Sequence, residues 1–254
     1  MKSVRLVLLL CFALGCNEPR PRSSEVGSAG SSAIASVAGA GSESRHVVRS
    51  LRALIVVLGS STSAGTGPRQ AKNAWVSRYE RHLAEQSPNV TLVNLAVGGQ
   101  TTFHIQPTGY LPPANRPAPV PGKNITAALA LKPNAILISM PSNDQASHYP
   151  LAEQLANYDR IARLTAEAHV QLWVSTTQPR NFNHASQMIN LMQARDAISE
   201  KFAPHVLDFW TAFAAPNGFI KAGYDSGDGT HLNDAAHAIL AEIVEGAHIP
   251  EQLE

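Results

Sequence analysis

The sequence predicts a three-layer α/β/α domain built on a doubly wound, five-stranded parallel sheet. Two observations carry this. Five short runs of Val, Ile and Leu recur between residues 52 and 209, and the clearest of them are continuously apolar rather than alternating. That is the pattern of strands covered on both faces. Segments with helical period lie between the runs, and strand–helix–strand units in one sheet make right-handed crossovers that set helices on both of its faces. In chain order, Arg52–Leu58 is the first strand and ends in Gly59. Residues 71–86 form a helix with Trp75, Tyr79 and Leu83 at fourfold spacing. A second strand spans 90–95, a helix 125–131, a third strand 135–139 and a helix 151–168. The fourth strand is 170–175, the next helix 185–202, the weakest strand 205–209, and a helix over 235–245 closes the fold. No internal repeat interrupts the series.

A chain of 254 residues that is 44% apolar can bury a sizeable core. Its 20 Lys and Arg balance 19 Asp and Glu, so no basic field exists for a nucleic-acid backbone. The only cysteines are Cys11 and Cys16, which leaves the domain at 51–254 without a disulfide framework, a thiolate metal site or a cysteine nucleophile.

The N-terminus has a different character. Lys2 and Arg5 precede nine apolar residues, Leu6 to Leu14, which are too few to span a membrane and have the layout of a secretory signal over 1–15. Ala13-Leu14-Gly15-Cys16 resembles a bacterial lipobox, which implies lipidation of Cys16 after cleavage. Between Ser23 and Ser44, 17 of 22 residues are Ser, Gly or Ala, so 16–50 is expected to be a flexible linker. The expectation is an exported protein held at the bacterial cell envelope by a lipid anchor.

In a doubly wound sheet the ligand site lies beyond the carboxyl ends of the strands, near the switch point. Gly59-Ser60-Ser61 follows the first strand, Gly98-Gly99-Gln100 the second, and Pro141-Ser142-Asn143-Asp144 the third. Asp228-Gly-Thr-His231 precedes the last helix. These four stretches, in this order, resemble the blocks of the SGNH hydrolases, also called the GDSL esterase family, across the whole folded domain. Ser60 stands where the family has Asp, and Pro141 where it has Gly. The resemblance implies the SGNH hydrolase fold, a serine nucleophile and ester hydrolysis without a metal or other cofactor.

The residue types suit that chemistry on their own account. A serine hydroxyl, Ser61, needs a neighbouring base, for which His231 is the candidate. The imidazole needs a carboxylate to fix its tautomer, and Asp228 three residues earlier can supply it. The amides of Ser61 and Gly99 and the side-chain amide of Asn143 are candidate oxyanion donors. Gly65, Gly67 and Pro68, among the nine residues before Ala71, argue against Ser61 capping the helix over 71–86 and leave it on a polar turn, and Asp144 is expected to cap the following helix. Other readings fit less well. An α/β-hydrolase elbow lacks its closing glycine at Ser63. A zinc hydrolase lacks His-Glu-x-x-His. A phosphate-cradling binding module leaves Asn143, Asp228 and His231 without a role.

The substrate is less legible. Residues 100–122 contain six prolines and make a long connection beside Gly99, so Phe103 and Tyr110 are candidate wall residues. Gln178 and Arg180 at the end of the fourth strand, and Trp210 after the fifth, complete the expected wall. Aromatic walls with polar groups suit sugar stacking as well as an acyl chain; the family resemblance implies short-chain acyl esters, acetyl above all, of carbohydrates or similar small molecules. Lipolytic or thioesterase activity on longer chains, and a catalytically impaired envelope binding protein, are the alternatives.

Overall fold

A computed structural model describes residues 52–253. The signal segment, Cys16 and the linker lie outside the described residues. The elements are β1 Ala53–Gly59, α1 Ser61–Ala64, α2 Trp75–Gln86, β2 Val90–Asn94, α3 Ile125–Ala130, β3 Ala135–Ser139 and α4 Asn143–Ala146. They continue with α5 Leu151–Glu167, β4 Gln171–Ser175, α6 Ala185–Phe202, β5 Val206–Leu207 and α7 Asp234–Glu245. The sheet order is β2-β1-β3-β4-β5, and every pairing is parallel.

The continuous apolar runs are explained by what covers each face. Ile55 and Val57 of β1, with Ala135 and Leu137 of β3, point into one core beneath Trp75, Tyr79 and Leu83 of α2 and Leu240 and Val244 of α7. Val56, Leu58, Ile136 and Ile138 point the other way, against Ile125 of α3, Tyr158 and Ile161 of α5 and Ile198 of α6. Neither face meets water, so alternation has no reason to appear. The chain leaves β1 toward β2 on one side and toward β3 on the other. The switch point therefore falls at the end of β1, where Ser61 follows.

Two expected elements come out differently. The helix expected over 71–86 is divided: Ala71–Asn73 is a 3-10 turn, Ala74 is extended (φ −59°, ψ 143°), and the α-helix starts at Trp75. Partners from the far end of the chain cause the break. His237 Nδ1 accepts the Trp75 amide at 3.1 Å, and Asp234 accepts from Asn73 Nδ2 and the Arg69 amide. The fifth strand keeps only Val206 and Leu207. The Phe209 amide turns to Thr176 Oγ1 instead of continuing a ladder, and Pro204 has no amide to offer. Among the described residues no helix is long and apolar enough to cross a membrane.

Candidate active site

Ser61 lies one residue beyond Ser60, whose amide donates to Ser139 O of β3 at 3.1 Å. Contrary to the expected turn, Ser61 opens a one-turn helix, closed when the Thr66 amide bonds back to Ser61 O at 2.9 Å. Gly65 ends that helix in the left-handed region (φ 93°), so the glycine that separates Ser61 from the later helix is also the stop signal of this one. Thr62 and Ser63 are buried, while Ser61 is half-buried with its side chain turned toward the last loop.

That loop is folded by its own carboxylates. Asp225 Oδ1 accepts the amides of Gly227 (2.8 Å) and Gly229 (3.0 Å), and an isolated antiparallel bridge joins Asp225 to Leu232. Asp228 Oδ1 accepts the amides of Thr230 and His231, both at 2.8 Å, and the Ser226 hydroxyl at 3.2 Å. Its second oxygen lies 2.6 Å from His231 Nδ1. A carboxylate only accepts, so Nδ1 carries the hydrogen and Nε2 presents a lone pair. Nε2 is 3.0 Å from Ser61 Oγ. Burial alone would raise the Asp228 carboxyl, but the His231 amide and ring and the Thr230 amide outweigh it and hold the group well below the usual carboxylate range. Gly67 lets the Ser61 loop pass close by, because a Cβ there would sit 2.1 Å from Leu232 O.

The other side of Ser61 is lined by amides. Gly99 has φ +80°, a conformation that disfavours any other residue, and a Cβ there would meet nothing within 4 Å, so its backbone faces open space. Among the described residues the Ser61 and Gly99 amides have no hydrogen-bond partner. Asn143 also reaches the site, but both Nδ2 hydrogens are engaged, with Ser60 Oγ (2.6 Å) and Gln100 O (2.9 Å). Ser60 thus occupies one hydrogen of the proposed third oxyanion donor.

Asp144 does not cap a helix. The helix begins at Asn143, and the fully buried Asp144 carboxylate accepts the Thr102 hydroxyl (2.6 Å) and amide (3.0 Å). Burial pushes its carboxyl up to about 6, against the Thr102 hydrogen bonds. Asn157 Nδ2 donates to Thr102 Oγ1 at 3.0 Å, and Arg160 bonds Asn157 and Gln106, extending a polar network beneath the Gly99 loop.

The expected wall is largely corrected. Phe103 is 1% exposed and packs edge-on to Tyr149 inside the protein. Trp210 is buried with Phe182, Met188 and Leu191, beneath the Arg195 guanidinium. Both were read as wall because aromatic residues in long loops attract that reading, yet each anchors its loop to the core. The Tyr110 ring is covered by Arg160 at 4.2 Å, which ties the proline-rich connection to α5. Gln178 uses both ends of its amide inside the protein: Oε1 accepts the Thr62 hydroxyl (2.8 Å) and Nε2 donates to Thr230 O (3.0 Å). Buried at 1% exposure, it joins the Ser61 helix to the His231 loop rather than lining a substrate wall. Arg180 does reach the site, with Nη1 3.4 Å from Ser142 Oγ and 3.5 Å from Asn143 Oδ1. Sequence reasoning missed Gln178 as a bridge, Thr102 as the partner of Asp144, and Ser60 as the partner of Asn143. Nothing local marks any of the three. Among the described residues no group of three or more His, Cys, Asp or Glu is placed to hold a metal ion.

A serine–histidine–aspartate hydrogen-bond chain at the switch point of a parallel sheet, facing unpaired amides, defines a class of hydrolase able to transfer an acyl group through serine. The sequence profile of the GDSL-like Lipase/Acylhydrolase family matches residues 57–239. The chain belongs to that family and is a carboxylic ester hydrolase. Solved structures share the fold. EstA, a psychrotrophic esterase from Pseudoalteromonas sp. seen inhibited by monoethylphosphonate, aligns at TM-score 0.57 with 19% identity, over 79% of this chain and 98% of its own. A lipase/acylhydrolase from Enterococcus faecalis aligns at 0.59 with 17% identity, over 80% and 97%. A two-domain esterase active on acetylated mannans aligns at 0.51 with 14% identity, over 76% of this chain and 47% of its own. No curated protein sequence matches the chain.

Proposed function

We propose that the protein cleaves short-chain acyl esters, acetyl esters of carbohydrates or similar small molecules above all, through an acyl-enzyme on Ser61. The observation that carries this reading is the continuous chain from Asp228 through His231 to Ser61 Oγ, at 2.6 and 3.0 Å. His231 Nε2 takes the hydroxyl proton as Ser61 Oγ bonds to the ester carbonyl carbon, and Asp228 stabilises the imidazolium. The developing oxyanion is met by the Ser61 and Gly99 amides. Asn143 joins as third donor when Ser60 Oγ turns aside, since its other hydrogen stays on a main-chain carbonyl. The alcohol leaves with the proton from His231, and water then repeats the sequence on the acyl-serine.

The carbohydrate preference draws support from the neighbour active on acetylated mannans and from the open space beside Gly99. Ser61→Ala should abolish hydrolysis of an acetyl ester, and a phosphonate should add mass to the peptide holding Ser61. Labelling at Ser60 or Ser63 instead would overturn the assignment. The lipid anchor is also our proposal, resting on residues 1–16. Cys16→Ser should release the protein from membranes of an expressing bacterium, and a wild-type protein that takes up no fatty-acid label would refute it.

A further inference from the structure

Arg180 differs from the other arginines whose partners are clear. Arg116 is held by both oxygens of Glu153 and lies over the Tyr149 ring, and Arg195 pairs with Asp196. Arg180 is half-buried beside Asn143, yet among the described residues no carboxylate lies within ion-pair distance of it. Its two polar contacts, to Ser142 Oγ and Asn143 Oδ1, are at the outer limit of hydrogen bonding, so most of its five N–H donors are unspent. Burial pulls the guanidinium below its ordinary value, and Asp228, the carboxylate that acts on it from a distance, is saturated by His231, Thr230 and Ser226.

The cation is also held in place. Pro179 fixes the backbone before it, the Asn181 amide donates to Gly229 O at 2.7 Å, and the Phe182 ring lies 4.9 Å beneath the guanidinium. A rigid, partly desolvated fork with unspent donors is suited to a planar anion. Its place, between Asn143 and the Asp228–His231 loop, is where the part of an ester flanking the scissile bond would lie.

Building on the esterase reading above, we propose that Arg180 recognises a carboxylate carried by the substrate close to the scissile bond, so that the preferred ester is that of an acidic sugar or comparable hydroxy acid. The test is a matched pair, a methyl glucuronide and a methyl glucoside acetylated at the same hydroxyl, given to the full-length protein. The wild type should favour the acid by about tenfold or more in kcat/KM, the range of a charge-assisted hydrogen bond. The preference should shrink as salt is raised. Arg180→Met should bring the ratio to one or below, and Arg180→Lys should leave it between. The ratio cancels any general damage through Asn143. A wild-type ratio near one overturns the proposal, as does an Arg180→Met protein that keeps the preference.

Failure of the esterase reading shows itself separately, as hydrolysis no faster in wild type than in Ser61→Ala. Calorimetry of the unacetylated glucuronide and glucoside then decides for the anion site without catalysis. Binding of the acid that disappears in Arg180→Met supports it, and equal or absent binding of both refutes it.

Discussion

The two sides of the site that flank Ser61 are built over different distances in sequence. The Asp228–His231 turn takes its shape from bonds among neighbours, Asp225 to Gly227 and Gly229 and Asp228 to Thr230 and His231, and is moored to the segment after β4 through Asn181 and Gln178. It is also exposed, with the Asp228 side chain at 50% of its full accessibility. The Gly99–Asn143 side is held by bonds 42, 43 and 83 residues apart, from Asp144 to Thr102 and from Asn143 to Gln100 and Ser60. Its anchors are buried. A base that must shed and regain a proton tolerates water beside its carboxylate. Oxyanion donors act by being fixed in advance, and here buried anchors fix them although Gly99 itself is exposed. The division of labour follows from the chemistry proposed for each side.

The sharpest break in this comparison comes from removing the hydrogen-bond chain itself. Ser61→Ala and His231→Ala should each lower kcat by about 10⁴-fold or more, and the double variant should fall little further, because the two residues act as a unit. KM for a small acetyl ester should hardly move. Separate, multiplying losses measured in the double variant would show that the chain is not one catalytic device.

The opposite side should respond less steeply. Asn143→Ala should cost about 3 kcal/mol of barrier, on kcat rather than KM. Ser60→Ala sharpens the point, since it frees the Asn143 hydrogen now given to Ser60 Oγ. Its kcat should stay within about tenfold of wild type, against roughly a hundredfold loss for Asn143→Ala. Equal losses in the two variants would mean that the Ser60–Asn143 bond serves the fold and not the oxyanion.

The same contrast governs what could be read from the sequence. The strands were legible because a doubly covered sheet demands continuous apolar runs, and all five lie where those runs lie. Asp228 and His231 were legible because three residues on one turn suffice for them to meet. Asn143 was found through its place after β3, but not its bond to Ser60, which requires β1 and β3 to be aligned first. The break before Trp75 was invisible for a related reason: His237, which takes its amide, is 162 residues away. Phe103 and Trp210 misled because an aromatic side chain carries no mark of whether its loop faces in or out.

Asp144 offers a test of the buried side through stability. Its carboxyl is raised to about 6 in the fold, so the folded protein holds a proton there that an unfolded chain releases nearer 4. Between those values the folded state binds more protons than the unfolded, and stability from this group declines as pH rises from about 4 to about 6. The separation corresponds to about 3 kcal/mol at most. Asp144→Asn removes the titration and is less stable at low pH, since its amide nitrogen cannot accept from Thr102. The gap in Tm between wild type and variant should therefore narrow as pH rises from 4.5 to 7, other groups cancelling in the difference. A gap independent of pH would refute this account of Asp144.

The smallest expected effect concerns the joint between the two sides. Gln178 takes the Thr62 hydroxyl with one end of its amide and gives a hydrogen to Thr230 O with the other, while its own amide donates to Pro141 O. One buried side chain thereby spans the residue after Ser61 and the residue before His231. Gln178→Met keeps the volume and removes both side-chain bonds. Leaving Thr62 and Thr230 without a partner should cost about 1–2 kcal/mol of stability. If the amide serves only packing, kcat and KM at a temperature well below Tm should stay near wild type. If it sets the distance from His231 Nε2 to Ser61 Oγ, kcat should fall by roughly tenfold at constant KM, as for a misplaced reacting group. Gln178→Glu separates the bonds further, because it still accepts from Thr62 but sets a carboxylate against the Thr230 carbonyl. Its kcat should be lower than that of Gln178→Met, with the loss recovering at acidic pH as the new carboxyl takes up a proton and can donate to Thr230. A glutamate variant as active as wild type at neutral pH would show that the two loops keep their spacing without Gln178.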